Sequence, residues 1–257
     1  MSAKNQGEEQ EMIGLFKKVF SKFEPKDEHL KELPKISELP ENHVARQFVE
    51  LRKIPRKHYD ILYYCEDFGN WMKQVDPESS GIGKEKRLVI PFFNKHNQMV
   101  AAQGRVLNMK GEMNARKTAR YITIKADKSI DRLWYGLWRC DPKKKVYVVE
   151  GPLDSLFIPN TVAMVGAAAL NEIHPRLENS DLVFVLDNEP RNEQIVKYNE
   201  KLIEDGRKVC IWPDHITHKD INDMIYTMSV DEIQEIIDKN TFSGLEAKLR
   251  IRKWSRV

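Results

Sequence analysis

The sequence predicts an α/β protein, a parallel sheet with flanking helices preceded by a smaller α+β module. Three observations carry this. After Pro142 four short apolar runs appear: VYVV at 146–149, VAMV at 162–165, LVFVL at 182–186 and VCIW at 209–212. Each is continuous rather than alternating, as strands buried on both faces require. Helical stretches at 153–158, 171–177, 192–204 and 230–238 lie between or after these runs, and that alternation builds a parallel sheet between helix layers. Before Pro142 the rhythm differs: RLVIPFF at 87–93, MVAAQGRVL at 99–107 and RYITI at 120–124 are β-type runs broken by turn residues such as Asn94, Asn97, Lys110 and Gly111.

Taken in order, the chain divides into a helical extension and linker at 1–38, an α+β module at 39–141, the α/β domain at 142–240 and a basic tail at 241–257. Met12, Phe16, Val19, Phe20 and Phe23 recur on one helical face before Pro25. That face packs on its own chain or docks on a partner. A helix is expected over 41–53, closed by Pro55, with a short helix or turn at 57–62. No repeat or low-complexity tract is visible.

Composition narrows the class. With 257 residues, 41% hydrophobic and 32% charged, the chain has material for one or two cored domains. No stretch reaches 18 uninterrupted apolar residues, so no membrane span is expected, and MSAKNQGEEQEMIGLF lacks the form of a signal peptide. Cys65, Cys140 and Cys210 form no C-x-x-C pair, so neither a disulfide framework nor a zinc site is readable, and a reduced cytoplasmic setting is expected. The net charge is only +3, but segments 110–132 and 246–257 are each locally +4. These are phosphate-facing segments or solvated lysine-rich surface.

The functional signal lies at the ends of the apolar runs. Ligands of open parallel sheets bind outside the carboxyl ends of the strands. The first run ends V-V-E-G-P-L-D, placing Glu150 at the strand tip and Asp154 in the next turn. The third ends V-L-D-N-E-P, with Asp187 and Glu189. After the fourth comes K-D-I-N-D, Lys219 to Asp223, with Asp220. Neighbouring strands lie about 4.8 Å apart, so carboxylates on adjacent tips crowd one volume and repel. A hard divalent cation relieves that. Ligands that are all oxygen favour Mg²⁺ or Mn²⁺ and leave positions open for phosphate, the arrangement of phosphoryl transfer. Taken singly, Asp154 suits a first helical turn, Asp187 or Asn188 a cap for the helix after Pro190, and Asp220 a loop. Their joint placement at three tips is the signal.

E-G-P-L-D, D-N-E and K-D-I-N-D resemble the three acidic motifs of the Toprim domain of bacterial-type primases, topoisomerases and some nucleases. The longer runs are most similar to primases of tailed bacteriophages. RLVIPFF, AAQGRVL, ARYITI and RLWYGL resemble the basic subdomain that precedes Toprim in primase cores, so the likeness covers about 39–240. The resemblance implies a Rossmann-like Toprim sheet. It makes Glu150, Asp187 and Glu189 catalytic, gives Mg²⁺ or Mn²⁺ to these three with Asp154 and Asp220, and points Arg105, Lys117, Arg120, Tyr121, Arg132 and Lys219 at nucleotide or template. Single-stranded DNA and ribonucleoside triphosphates are the implied substrates, and a replicative hexameric helicase is the implied partner. Two departures stand out. The second motif is D-x-E where D-x-D is common, and residues 1–40 hold no cysteine and only His29, where such primases usually carry a zinc module. A Toprim nuclease and a non-catalytic nucleic-acid-binding replisome subunit are the rival readings. Trp134 and Trp138 are core aromatics or base-stacking groups, and His215 and His218 are incidental.

Overall fold

The computed structural model describes residues 27–80, 82–107, 119–166 and 172–257. The amphipathic segment at 12–23 and Lys117 lie outside them. Two sheets form the frame. The first is antiparallel, in the order β1 (Tyr63–Cys65), β2 (Arg87–Phe93), β3 (Met99–Val106), β4 (Tyr121–Lys125). Side chains alternate across it. Leu88, Ile90 and Phe92 face the central core, while Val89 and Phe93 pack with Phe68, Trp71 and Met72. Those last three belong to a helix at Phe68–Val75; the described helices in this part of the chain are α1 (Glu28–Lys31), α2 (Val44–Leu51) and α3 (Phe68–Val75). Gly104 of β3 is what admits the Phe68 ring, since a Cβ there would meet it at 2.3 Å.

The second sheet has the order β10, β9, β8, β6, β7, β5. Its strands are β5 (Leu133–Tyr135), β6 (Val146–Val149), β7 (Thr161–Val165), β8 (Leu182–Phe184), β9 (Lys208–Cys210) and β10 (Thr241–Phe242). The β6, β7, β8 and β9 strands are parallel, and β5 and β10 run antiparallel at the edges. Val146 and Val148 face one helix layer, with α4 (Glu193–Glu204) and α7 (Gly244–Trp254). Tyr147 and Val149 face the other, with α6 (Val230–Lys239) and the first module. The chain leaves β6 for β7 on one side and returns to β8 on the other. This reversal opens a crevice at the carboxyl ends of β6 and β8.

Several elements differ from the sequence reading. Residues 27–38 are not a free linker: Ile36 is fully buried and Lys35 bridges Tyr63. Residues 133–135, placed by the sequence reading within the first module, form the β5 strand and pair with β7 in the second sheet. The stretch at 153–158 and the described part of 171–177, from 172 on, hold only short 3-10 turns, at Asp154–Leu156 and Pro175–Leu177. The basic tail is a strand and a helix whose Ala247, Ile251 and Trp254 are buried. Its apolar residues are spaced at i, i+4 and i+7, and the density of cations around them masks that face. Trp134 is core, at 4% exposure, and Trp138 stacks edge-on to Phe93 and Tyr135.

Candidate active site

Glu150 follows β6, and Asp187 lies just beyond β8, the neighbouring parallel strand. The Asp187 N–H donates to Glu150 Oε1 at 2.9 Å, so the two acids meet at the crevice. Gly151 allows the turn between Glu150 and Asp154, because a Cβ on it would meet Asp154 Oδ2 at 2.3 Å. Asp154 Oδ1 accepts the N–H of Asn222 at 3.1 Å. Asn192, not Asp187 or Asn188, caps α4 by accepting from the Gln194 N–H at 3.1 Å. Asp187 is therefore free of the capping role. Asp220 does cap a helix, α5 (Ile221–Met224), accepting from the Asp223 N–H at 2.7 Å, and it also lines the crevice.

The acids raise one another's proton affinity. Burial lifts Asp187 to about 8, with the charges of Glu150, Asp154 and Asp220 adding and Lys219 opposing. Burial and Asp220 lift Asp154 to about 7, against the Asn222 N–H and Arg52. Burial and Glu189 push Glu150 up, while the Asp187 N–H and Lys219 hold it down. The Lys219 ammonium lies 3.6 Å from Asp187 Oδ2 and 3.4 Å from Glu189 Oε2.

The opposite wall is basic. Arg105 of β3 faces Tyr121 of β4 in register, its guanidinium 4.6 Å from the Tyr121 ring centroid and 5.6 Å from that of Phe48. Arg52, Gln103, Arg105, Arg120 and Tyr121 line one cleft of about 480 Å³ together with Glu150, Asp154, Asp187, Glu189, Lys219 and Asp220. A negative floor and a positive wall within one cleft suit a polyanion bound through a cation.

Of the residues singled out from the sequence, Arg132 is turned elsewhere: it pairs with Glu172 and does not line this cleft. Sequence reasoning missed Arg52, Asn188 and Asn222. The Arg52 side chain donates to Asn222 Oδ1, and Asn222 Nδ2 donates to the Arg52 carbonyl at 2.7 Å, joining the first module to the third acidic motif. The only sequence signal for Asn222 was its place inside K-D-I-N-D, and Arg52 had none.

A divalent cation at the crevice would need convergent oxygen donors. Among the described residues no three His, Cys, Asp or Glu side chains gather as a metal-holding group. The donor set nonetheless fits in kind. It is all oxygen, burial and neighbouring carboxylates raise Glu150, Asp154 and Asp187, and a lysine ammonium already stands between Asp187 and Glu189.

No family model matches the sequence. The DNA primase of Enterobacteria phage T4 is 33% identical to it over 244 residues, 91% of this chain and 68% of that protein. Among solved structures, the zinc-binding and RNA polymerase domains of the Aquifex aeolicus primase align with a TM-score of 0.58 at 17% identity. The alignment covers 93% of this chain and 64% of that one. The E. coli primase catalytic core aligns with a TM-score of 0.58 at 16% identity, covering 82% and 77%. A DnaG primase catalytic domain bound to single-stranded DNA aligns with a TM-score of 0.57 at 15% identity, covering 91% and 80%. At these identities the structural likeness shows the fold, which is that of primase catalytic cores with a Toprim sheet.

Proposed function

The chain belongs to the DNA primases, a family of metal-dependent nucleotidyltransferases, and on that premise we propose that the cleft synthesises RNA primers on single-stranded DNA. The substrates are ribonucleoside triphosphates. The 3′-hydroxyl oxygen of one nucleotide attacks the α-phosphorus of the next, the bond to the β-phosphate oxygen breaks, and pyrophosphate leaves.

Glu150, Asp187 and Glu189, with Asp154 and Asp220 beside them, are the residues that would hold Mg²⁺ or Mn²⁺. Such a cation lowers the hydroxyl's pKa and neutralises charge on the departing pyrophosphate. The chain's own groups do the rest. Glu150 Oε1 is tied to the Asp187 N–H, leaving Oε2 to take the hydroxyl proton. Arg105 and Arg120 hold phosphate oxygens, for which guanidinium forks are shaped, and Arg52 joins them from the same wall. Tyr121 fixes the Arg105 guanidinium through its ring face. Lys219 exchanges its carboxylate partners for a phosphate. Arg132 reaches template only if its pair with Glu172 opens, and Lys117 is proposed for nucleotide contact on its sequence match alone. The working partner proposed is a replicative hexameric helicase, in the host cytoplasm. Among the described residues no helix is long and apolar enough to cross a membrane.

The observation that carries this reading is the Glu150–Asp187 contact, with both carboxyls raised, opposite three arginines. The test is incorporation of labelled ribonucleotide on a mixed single-stranded template, with Mg²⁺ and with or without helicase. Glu150→Gln abolishes product, by on the order of 10³-fold or more. Unchanged synthesis in that variant refutes the site. DNA cleavage with Mn²⁺ and no nucleotide would instead identify a nuclease.

A further inference from the structure

We propose that the C-terminal helix α7 positions the acidic motifs, acting through Asn188. The proposal rests on reading the cleft as the cation and nucleotide site.

Asn188 is the middle residue of D-N-E, between two of the acids, and its own side chain points away from them. Its Nδ2 donates to the carbonyls of Ile216 at 2.8 Å and His218 at 3.0 Å. Its backbone N–H donates to the Lys219 carbonyl at 2.6 Å. Its Oδ1 accepts the indole Nε1–H of Trp254 at 3.1 Å. These partners settle the amide's orientation, because both amide protons face carbonyls and only the oxygen can meet an indole N–H. One half-buried side chain thus ties the β8 tip to the loop that carries Lys219 and Asp220, and to a helix 66 residues further on.

The helix is itself anchored. Trp254 is 7% exposed and packs with Ala247 and Ile251 against the second sheet's helix layer. Just past its end, the Arg256 N–H donates to the Pro190 carbonyl at 2.8 Å, so the D-N-E-P turn is held at two points. An acid must be placed within a fraction of an ångström to share a cation. Asp187 and Glu189 are one residue either side of Asn188, and Lys219, which stands between their carboxylates, accepts the Asn188 backbone N–H at its carbonyl. Among the described residues no hydrogen bond or ion pair joins either acid to α7. The helix therefore acts on the site through Asn188, and Asn188 and Trp254 are positioning residues.

Trp254→Phe tests this in the full chain, since it keeps an aromatic ring and removes one N–H. The comparison variant is Ile251→Val, which loosens the same helix without touching Asn188. Two quantities are read. One is amide hydrogen exchange over residues 216–220. The other is Mn²⁺ affinity, by electron paramagnetic resonance of free Mn²⁺ without nucleotide or DNA. Losing one hydrogen bond corresponds to about fivefold. Trp254→Phe is expected to speed exchange at 216–220 and to weaken Mn²⁺ binding by about that factor, while Ile251→Val leaves both at the parent's values. Asn188→Ala, which removes all the side-chain bonds, exceeds Trp254→Phe in both. Parental exchange in Trp254→Phe overturns the proposal, and so does faster exchange with unchanged Mn²⁺ affinity. If the parent itself binds no Mn²⁺, the reading of the cleft falls, and the exchange rates alone decide whether α7 holds the loop.

Discussion

Arg87 and Asp187 are both ionisable groups drawn into the protein, and the two modules treat them in opposite ways. Arg87, on the first sheet, has no exposed surface at all. Its Nε and Nη2 donate to Glu85 Oε2 at 2.9 and 2.6 Å, and its Nη1 donates to the Gly104 carbonyl at 2.7 Å. Nη2 also donates to the Ala119 carbonyl at 3.0 Å. Four of the guanidinium's five N–H groups are engaged, and they tie β2 to β3 and to the chain entering β4. Asp187, on the second sheet, faces three other acids and one lysine at 3.6 Å. Charge that is fully paired inside the first module fixes the frame. Charge left under-compensated at the crevice of the second module costs stability, and in the proposed function a cation would relieve it.

The strongest way to break that comparison is Asp187→Asn. Primer synthesis is expected to fall on the order of 10³-fold, yet the cation-free variant melts higher than the parent at neutral pH. The sign follows from the raised carboxyl. Its contribution to folding is whole below the ordinary carboxylate range and is lost as pH rises toward about 8. The variant lacks that loss, so its advantage in Tm should widen from about pH 5 to about pH 8 and close again when Mg²⁺ is added to the parent. A pH-independent difference would show that Asp187 carries no such burden.

The converse substitution is Arg87→Met. Urea denaturation is expected to show a loss of about 3–5 kcal/mol, because Glu85 and two carbonyls lose the same cation at once. Adding Glu85→Gln should recover part of it. A loss under about 1 kcal/mol would mean the pair is not what holds β2 to β3.

The smallest effect concerns the junction of the modules. His58 is buried, and burial, with the charges of Arg139 and Lys57, lowers it to about 3. The unfolded chain takes up a proton in the ordinary histidine range, and the folded one does so only near 3. The stability His58 contributes is therefore present above the ordinary range and lost progressively as pH falls from that range to about 3. His58→Gln should flatten the acid side of the Tm profile by a few degrees, and an unchanged slope would remove His58 from the account.

Much of the frame was legible because it rests on local patterns. The run RLVIPFF is strand Arg87–Phe93 and VYVV is strand Val146–Val149, residue for residue. Glu150 and Asp187 were legible because each follows such a run directly, and a strand's end fixes where its next side chain stands; Asp154 and Asp220 lie further on, in a turn and at a helix cap, and were legible only through their motifs. Residues 153–158 misled because their apolar residues belong to a tight turn packed under the sheet, where Leu153 and Leu156 are buried without a helix. Arg132 misled because its match was one of type and spacing, while the nearest acid, Glu172, lay on a separate loop.

By itself, then, the order of residues determined the central strands, the parallel arrangement and the acids at the tips of β6 and β8, because these depend on side-chain periodicity over a handful of neighbours. Tertiary structure alone decided that Glu150 and Asp187 touch, that Arg52 reaches Asn222, and that Trp254 reaches Asn188. The last two contacts join residues 170 and 66 positions apart. Hydrogen bonds at such separations carry no local pattern, and they exist only once the sheet has brought both ends of the chain to one crevice.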